Sequence, residues 1–249
     1  MIDTSAEQFQ PDLIESLPNL KKERVGDVDV YLIDFSDNNP PAETLEKLKR
    51  IIGNKKIAVE LGPGNQLESM LFAAKKSEAD VVFGVDPDFD LSQINPSTID
   101  QAGNKPTVIL FKGDAWGDTR IKNFFGSNGS PGDRLATYSQ LVSPDTMAAE
   151  RMIGAAIPMS NAAFMIVLDS GAVEFLENDH LPQGAKKTIL LEKGLEDPTS
   201  LDWIKLWLRN TKQTQLTKQD YQQGITEGIY PPSKCLRDGN MLIFESQND

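Results

Sequence analysis

Three acidic residues follow the same rule of placement in this chain. Glu60 lies within the apolar run IAVEL, Asp86 directly follows VVFGV, and Asp114 follows VILF by three residues. Right after the first run comes Gly62-Pro63-Gly64. Glycine has no Cβ, so a strand-to-helix turn built this way lets backbone approach a ligand closely. Asp86 stands 24 residues after Gly62, with Pro87 behind it. A carboxylate there can accept hydrogen bonds from both hydroxyls of a ribose, which points to a nucleoside-containing ligand.

Two ligands of that kind fit a glycine-rich turn. A dinucleotide such as NAD uses G-x-G-x-x-G, but position 67 holds Leu67, and Glu60 would set negative charge near a pyrophosphate. S-adenosylmethionine carries an ammonium and a sulfonium and no phosphate, so Glu60, Asp86 and Asp114 would attract it. Coulomb's law favours the cationic ligand.

The segments VELGPGN, VFGVDPD and FKGDAW resemble motif I, the acidic position after it, and motif II of the class I S-adenosylmethionine-dependent methyltransferases, across residues 56–116. The resemblance implies a Rossmann-like α/β fold with a mostly parallel seven-stranded sheet and helices on both faces. It also implies roles: Glu60, Gly62, Pro63 and Gly64 along the methionine part, Asp86 and Pro87 at the ribose, Asp114 and Ala115 beside the adenine. Tyr138, Ser139 and Gln140 fall where the family often faces the transferred methyl. At position 66, where the family commonly has a third glycine, this chain has Gln66. Methyl transfer is an in-line displacement, so orientation and exclusion of water are the main demands on the protein.

Other residues receive plainer readings. Asn39-Pro40-Pro41-Ala42 lacks the aromatic residue of the amino-methyltransferase motif and is read as a helix cap, with Asn39 capping and proline first. Cys235 is an incidental thiol, and His180 sits at a helix end. Trp116 is expected in the core, with stacking on adenine as the alternative. Asp88 and Asp90 lack the spacing of a calcium loop and are read as solvated turn residues, so no metal is expected. Trp203 and Trp207 share one face of the amphipathic segment LDWIKLWLR.

The elements that must position these residues follow from periodicity. Strands are expected at IAVEL, VVFGV, 108–111, 135–142, 162–169, 187–192 and 241–245, with helical spacing at Leu67, Met70, Leu71 and Ala74 and over 145–157. Short helical turns are expected after Pro96. Alternation of strands and helices implies a parallel sheet. VDVYLIDF, Val28 to Phe35, is read as a strand of an N-terminal extension over residues 1–45 that could serve as a lid on the domain formed by 46–249. Leu45, Leu48 and Ile52 mark a helix closed by Gly53.

Composition narrows the function. The chain has 249 residues and a net charge of -12, which opposes a phosphate backbone and makes nucleic acid a poor partner. One cysteine excludes an intramolecular disulfide, and no apolar run reaches the roughly 18 residues of a membrane span. A cytoplasmic protein acting on a small molecule, or on a protein side chain, is expected. The alternatives are a methyltransferase-like binding or regulatory module without activity and, ranked below it, an NAD-dependent oxidoreductase.

Overall fold

The computed structural model describes residues 11–26, 28–36, 40–65, 67–94, 106–126, 135–141, 151, 155, 159, 163–168, 186–192, 211–231 and 241–246. Its helices are α1 (Pro11–Glu15), α2 (Ala42–Ile52), α3 (Leu67–Ser77), α4 (Thr119–Phe125) and α5 (Lys218–Thr226). Its strands are β1 (Leu20–Val25), β2 (Val28–Asp34), β3 (Ile57–Leu61), β4 (Val81–Asp86), β5 (Thr107–Lys112), β6 (Leu135–Leu141), β7 (Ala163–Leu168), β8 (Lys186–Glu192), β9 (Thr211–Leu216) and β10 (Met241–Ser246).

The strands form one sheet in the order β1-β2-β5-β4-β3-β6-β7-β8-β10-β9. Six successive pairings, from β2·β5 through β7·β8, are parallel, and β1 and β10 pair antiparallel to their neighbours. From β3 the chain moves through α3 to β4 and then β5 on one side, and β6 takes up the other side. The order therefore reverses between β3 and β6, and in a doubly wound sheet ligands bind beyond the strand carboxyl ends at such a point.

Both faces of the sheet are buried, because alternate strand residues supply separate cores. Tyr31, Ile33, Val59, Leu61, Phe83, Val85 and Phe111 meet α2, α4 and the helical residues Ala155 and Met159 on one face. Ala58, Val82, Val108, Leu110 and Tyr138 meet α3 on the other. This is the parallel α/β sheet expected from the alternating pattern, in the Rossmann-like arrangement that the motif resemblance implies.

Three features differ from expectation. Among the described residues the sheet has ten strands rather than the seven expected. Strands β1 and β2 belong to the sheet itself: β2 pairs in parallel with β5, β1 extends the edge, and residue 45 lies inside α2. Polar LKKERV and TKQTQL carry no apolar alternation because β1 and β9 are the two edges, where charge discourages pairing with another chain. Finally, the N-cap of α2 is Pro41, with no side-chain hydrogen bond, while Gly53 ends the helix at φ 54° as expected; Asn39 lies outside the described residues.

Candidate functional site

The turn after β3 has Gly62 at φ 69° and Gly64 at φ 58°, left-handed conformations that only glycine adopts without strain. Gly62 N–H donates to the Val85 carbonyl at 2.9 Å, holding the turn against the end of β4. Asp86 completes the tie. Its Oδ2 accepts from Gly64 N–H at 2.9 Å and its Oδ1 from Asp88 N–H at 2.8 Å, and the residue is only 8% exposed. Asn65 Oδ1 accepts from Asp90 N–H at 2.9 Å, joining the two loops a second time. Asp90 in turn holds the amide and hydroxyl of Ser92, which keep its carboxyl below the usual range.

The end of β5 is shaped similarly. Asp114 Oδ1 accepts from Trp116 N–H at 2.9 Å, and the Asp114 carbonyl accepts from Asp118 N–H at 2.9 Å. Gly117 leaves room for the Asp114 carboxylate, since a Cβ there would lie 2.7 Å from Oδ2. Asp118 caps α4 and grips Arg120, whose Nη2 donates to the Phe35 carbonyl at 2.7 Å. The end of β5 is thereby fastened to the end of β2.

Together these turns enclose a cavity of about 330 Å³. Leu61, Val85 and Asp86 line it from β3 and β4; Gly62, Pro87, Asp88, Gly113, Asp114, Ala115 and Trp116 line it from the turns, and Arg151 and Ala155 are helical residues that follow β6. A second, more open hollow of about 480 Å³ adjoins it, sharing Pro87, Gly113 and Asp114 and continuing to Asp34, Lys112 and Asp118. The glycine turn belongs to the smaller cavity, which is the candidate site.

Five of the expected binding residues, Gly62, Asp86, Pro87, Asp114 and Ala115, thus meet around one space. Glu60, Pro63 and Gly64 do not line it. Glu60 is one residue out of step with Leu61, so strand alternation turns it to the α3 side, where it is 1% exposed. Gly64 acts through its N–H on Asp86. Trp116 is not a core residue: it is 42% exposed, lines the cavity, and has Lys122 Nζ 4.2 Å from its ring centroid. Arg151 and Ala155 carry no local signal of a site; only the helical spacing over 145–157 hinted that they share a face. Among the described residues no cluster of three or more His, Cys, Asp or Glu could hold a metal.

Tyr138, a candidate for the catalytic position, lies in the core on the α3 side, 7% exposed and edge-on to Phe72. Burial and then the Glu60 charge push its hydroxyl above the ordinary tyrosine range. A raised folded value favours the neutral phenol, so this contribution is present below about pH 10 and is lost as pH climbs beyond it. Tyr138→Phe is therefore expected to shrink the stability difference between pH 8 and pH 10.5, measured by urea denaturation, by about 1 kcal/mol. An unchanged difference would show that the hydroxyl ionises as readily in the fold as outside it. The side chains of Ser139 and Gln140 lie outside the described residues, as do Gln66, Pro96, His180, Trp203, Trp207 and Cys235.

No protein-family model and no curated protein matches the chain. Solved structures similar to it include an antibiotic-related methyltransferase (8% identity, TM-score 0.43, covering 82% of this chain and 94% of that one). A 30S ribosomal A1408 methyltransferase from an uncultured bacterium matches at 15% identity and TM-score 0.38, covering 88% and 98%. An rRNA methylase from Streptococcus thermophilus matches at 12% and 0.35, covering 83% and 95%. At these TM-scores the likeness carries no argument about activity. Among the described residues no helix is long and apolar enough to cross a membrane.

Proposed function

We propose that the chain is an S-adenosylmethionine-dependent methyltransferase acting on a small molecule, or on a protein side chain. One observation carries this reading: a cavity at the carboxyl ends of adjacent parallel strands β3, β4 and β5 combines the glycine turn, Asp86 and the Asp114–Trp116 turn. Its volume of about 330 Å³ falls at the low end of the roughly 300–1,000 Å³ usual for small-molecule sites. The donor set also fits. Asp86 and Asp114 each keep carboxylate lone pairs beyond those taken by backbone N–H groups, enough to accept from ribose hydroxyls and a base amine.

S-adenosylmethionine, when bound, supplies an electrophilic methyl carbon on a sulfonium. The protein's own residues would orient and shelter it: Asp86 holds the turn and would accept from the ribose hydroxyls, Leu61 and Val85 would form an apolar floor, and Trp116 an aromatic wall. Acidic side chains favour a ligand of positive charge, and the net charge of -12 disfavours a nucleic-acid acceptor.

Isothermal calorimetry with S-adenosylmethionine and S-adenosylhomocysteine, with NAD as control, tests the reading. Dissociation constants of about micromolar order are expected for the first two, and no heat with NAD. Absence of binding to both sulfur ligands would remove the cofactor assignment. Binding without methyl transfer to any acceptor in a screen would favour a regulatory module instead.

A further inference from the structure

Arg151 is the one cation among the described residues lining the cavity, against three carboxylates, Asp86, Asp88 and Asp114. It is exposed, and among the described residues no carboxylate pairs with it. Asp86 accepts from the backbone of Gly64 and Asp88, and Asp114 from that of Trp116, so these two carboxylates are held by their own turns. Among the described residues, then, no carboxylate takes up this guanidinium, whose five donors border the cavity.

Topology says which end of a ligand it would meet. Asp86 and Asp114 come from β4 and β5, whereas Arg151 is carried by the connection after β6, on the other side of β3. A ligand with its nucleoside toward β4 and β5 extends its far end across the switch point toward β6. Resting on the cofactor reading above, we propose that Arg151 is the binding residue for the α-carboxylate of the ligand's amino-acid part, through a paired guanidinium–carboxylate contact. The cavity then sets three acids, which favour a ligand of positive charge overall, against one cation placed for the ligand's carboxylate.

The test compares two adenosyl thioethers that differ in the group concerned. S-adenosylhomocysteine carries the α-amino acid; 5′-methylthioadenosine lacks it. By calorimetry, Arg151→Met is expected to weaken S-adenosylhomocysteine about tenfold while leaving 5′-methylthioadenosine within about twofold, and Arg151→Lys should recover part of the loss. Equal affinity of variant and wild type for S-adenosylhomocysteine would overturn the assignment, and so would an equal loss for both ligands, which would mark a general structural effect. Wild-type protein that binds neither thioether would instead sink the cofactor reading itself.

Discussion

Asp86→Ala is expected to destabilise the protein by about 2–4 kcal/mol and to weaken S-adenosylhomocysteine by roughly 10- to 100-fold. The two effects share one cause. The Asp86 carboxylate is 8% exposed and takes N–H groups from both Gly64 and Asp88, so alanine leaves two partly enclosed donors without acceptors. Each such orphan costs about 1–3 kcal/mol when water cannot replace the lost oxygen. The same carboxylate lines the cavity, so its removal deletes a ligand contact as well as the tie between turns. Asp86→Asn separates the two: it keeps the volume and one accepting oxygen but turns an NH₂ toward a donor, and an intermediate loss is expected in both measurements. Urea midpoints and calorimetry on the two variants provide the check. Unchanged values would mean that the glycine backbone alone holds the turn.

Phe111→Ala is expected to lower stability by about 3–5 kcal/mol, the range for truncating a fully buried aromatic side chain. Its ring centroid lies 4.7 Å from Phe35, 5.0 Å from Phe83, 5.1 Å from Phe124 and 5.7 Å from Phe125. These partners come from the middle of β4, from the residue after β2 and from α4, so the ring joins the sheet to the helix that closes the Asp114 turn. Loss of it leaves a void that four aromatic neighbours, themselves packed, fill only partly. Phe111→Leu should restore much of the stability and leave ligand affinity within about threefold, since the turn begins two residues later. A loss under about 1 kcal/mol in Phe111→Ala would show that Phe124 and Phe125 collapse into the space.

Much of the site was legible because its chemistry is local. Gly62, Asp86, Pro87, Asp114 and Ala115 each sit just past an apolar run, and an apolar run fully buried in a parallel sheet ends near the edge where ligands bind. Side-chain direction was less legible. Alternation carries Glu60, with Ala58, to the α3 face, where Gly84 across the ladder has no side chain of its own. Trp116 differs for another reason: whether a residue in a turn packs into the core depends on distant segments, and here it is 42% exposed, with Lys122 Nζ 4.2 Å from its ring centroid.

The sequence by itself determined the apolar strands, β2 to β8 and β10, and which of their ends carry glycine or acid, because period, β-branching and turn residues act over a few neighbours. Only the tertiary structure decided that β1 and β2 belong to the sheet, that polar β9 is a strand at all, and that Arg151 shares a cavity with Asp86. Those outcomes depend on pairing between distant segments. An edge strand is specified by the partner it finds, and a cavity by which strand ends become neighbours, so neither leaves a periodic mark on its own residues.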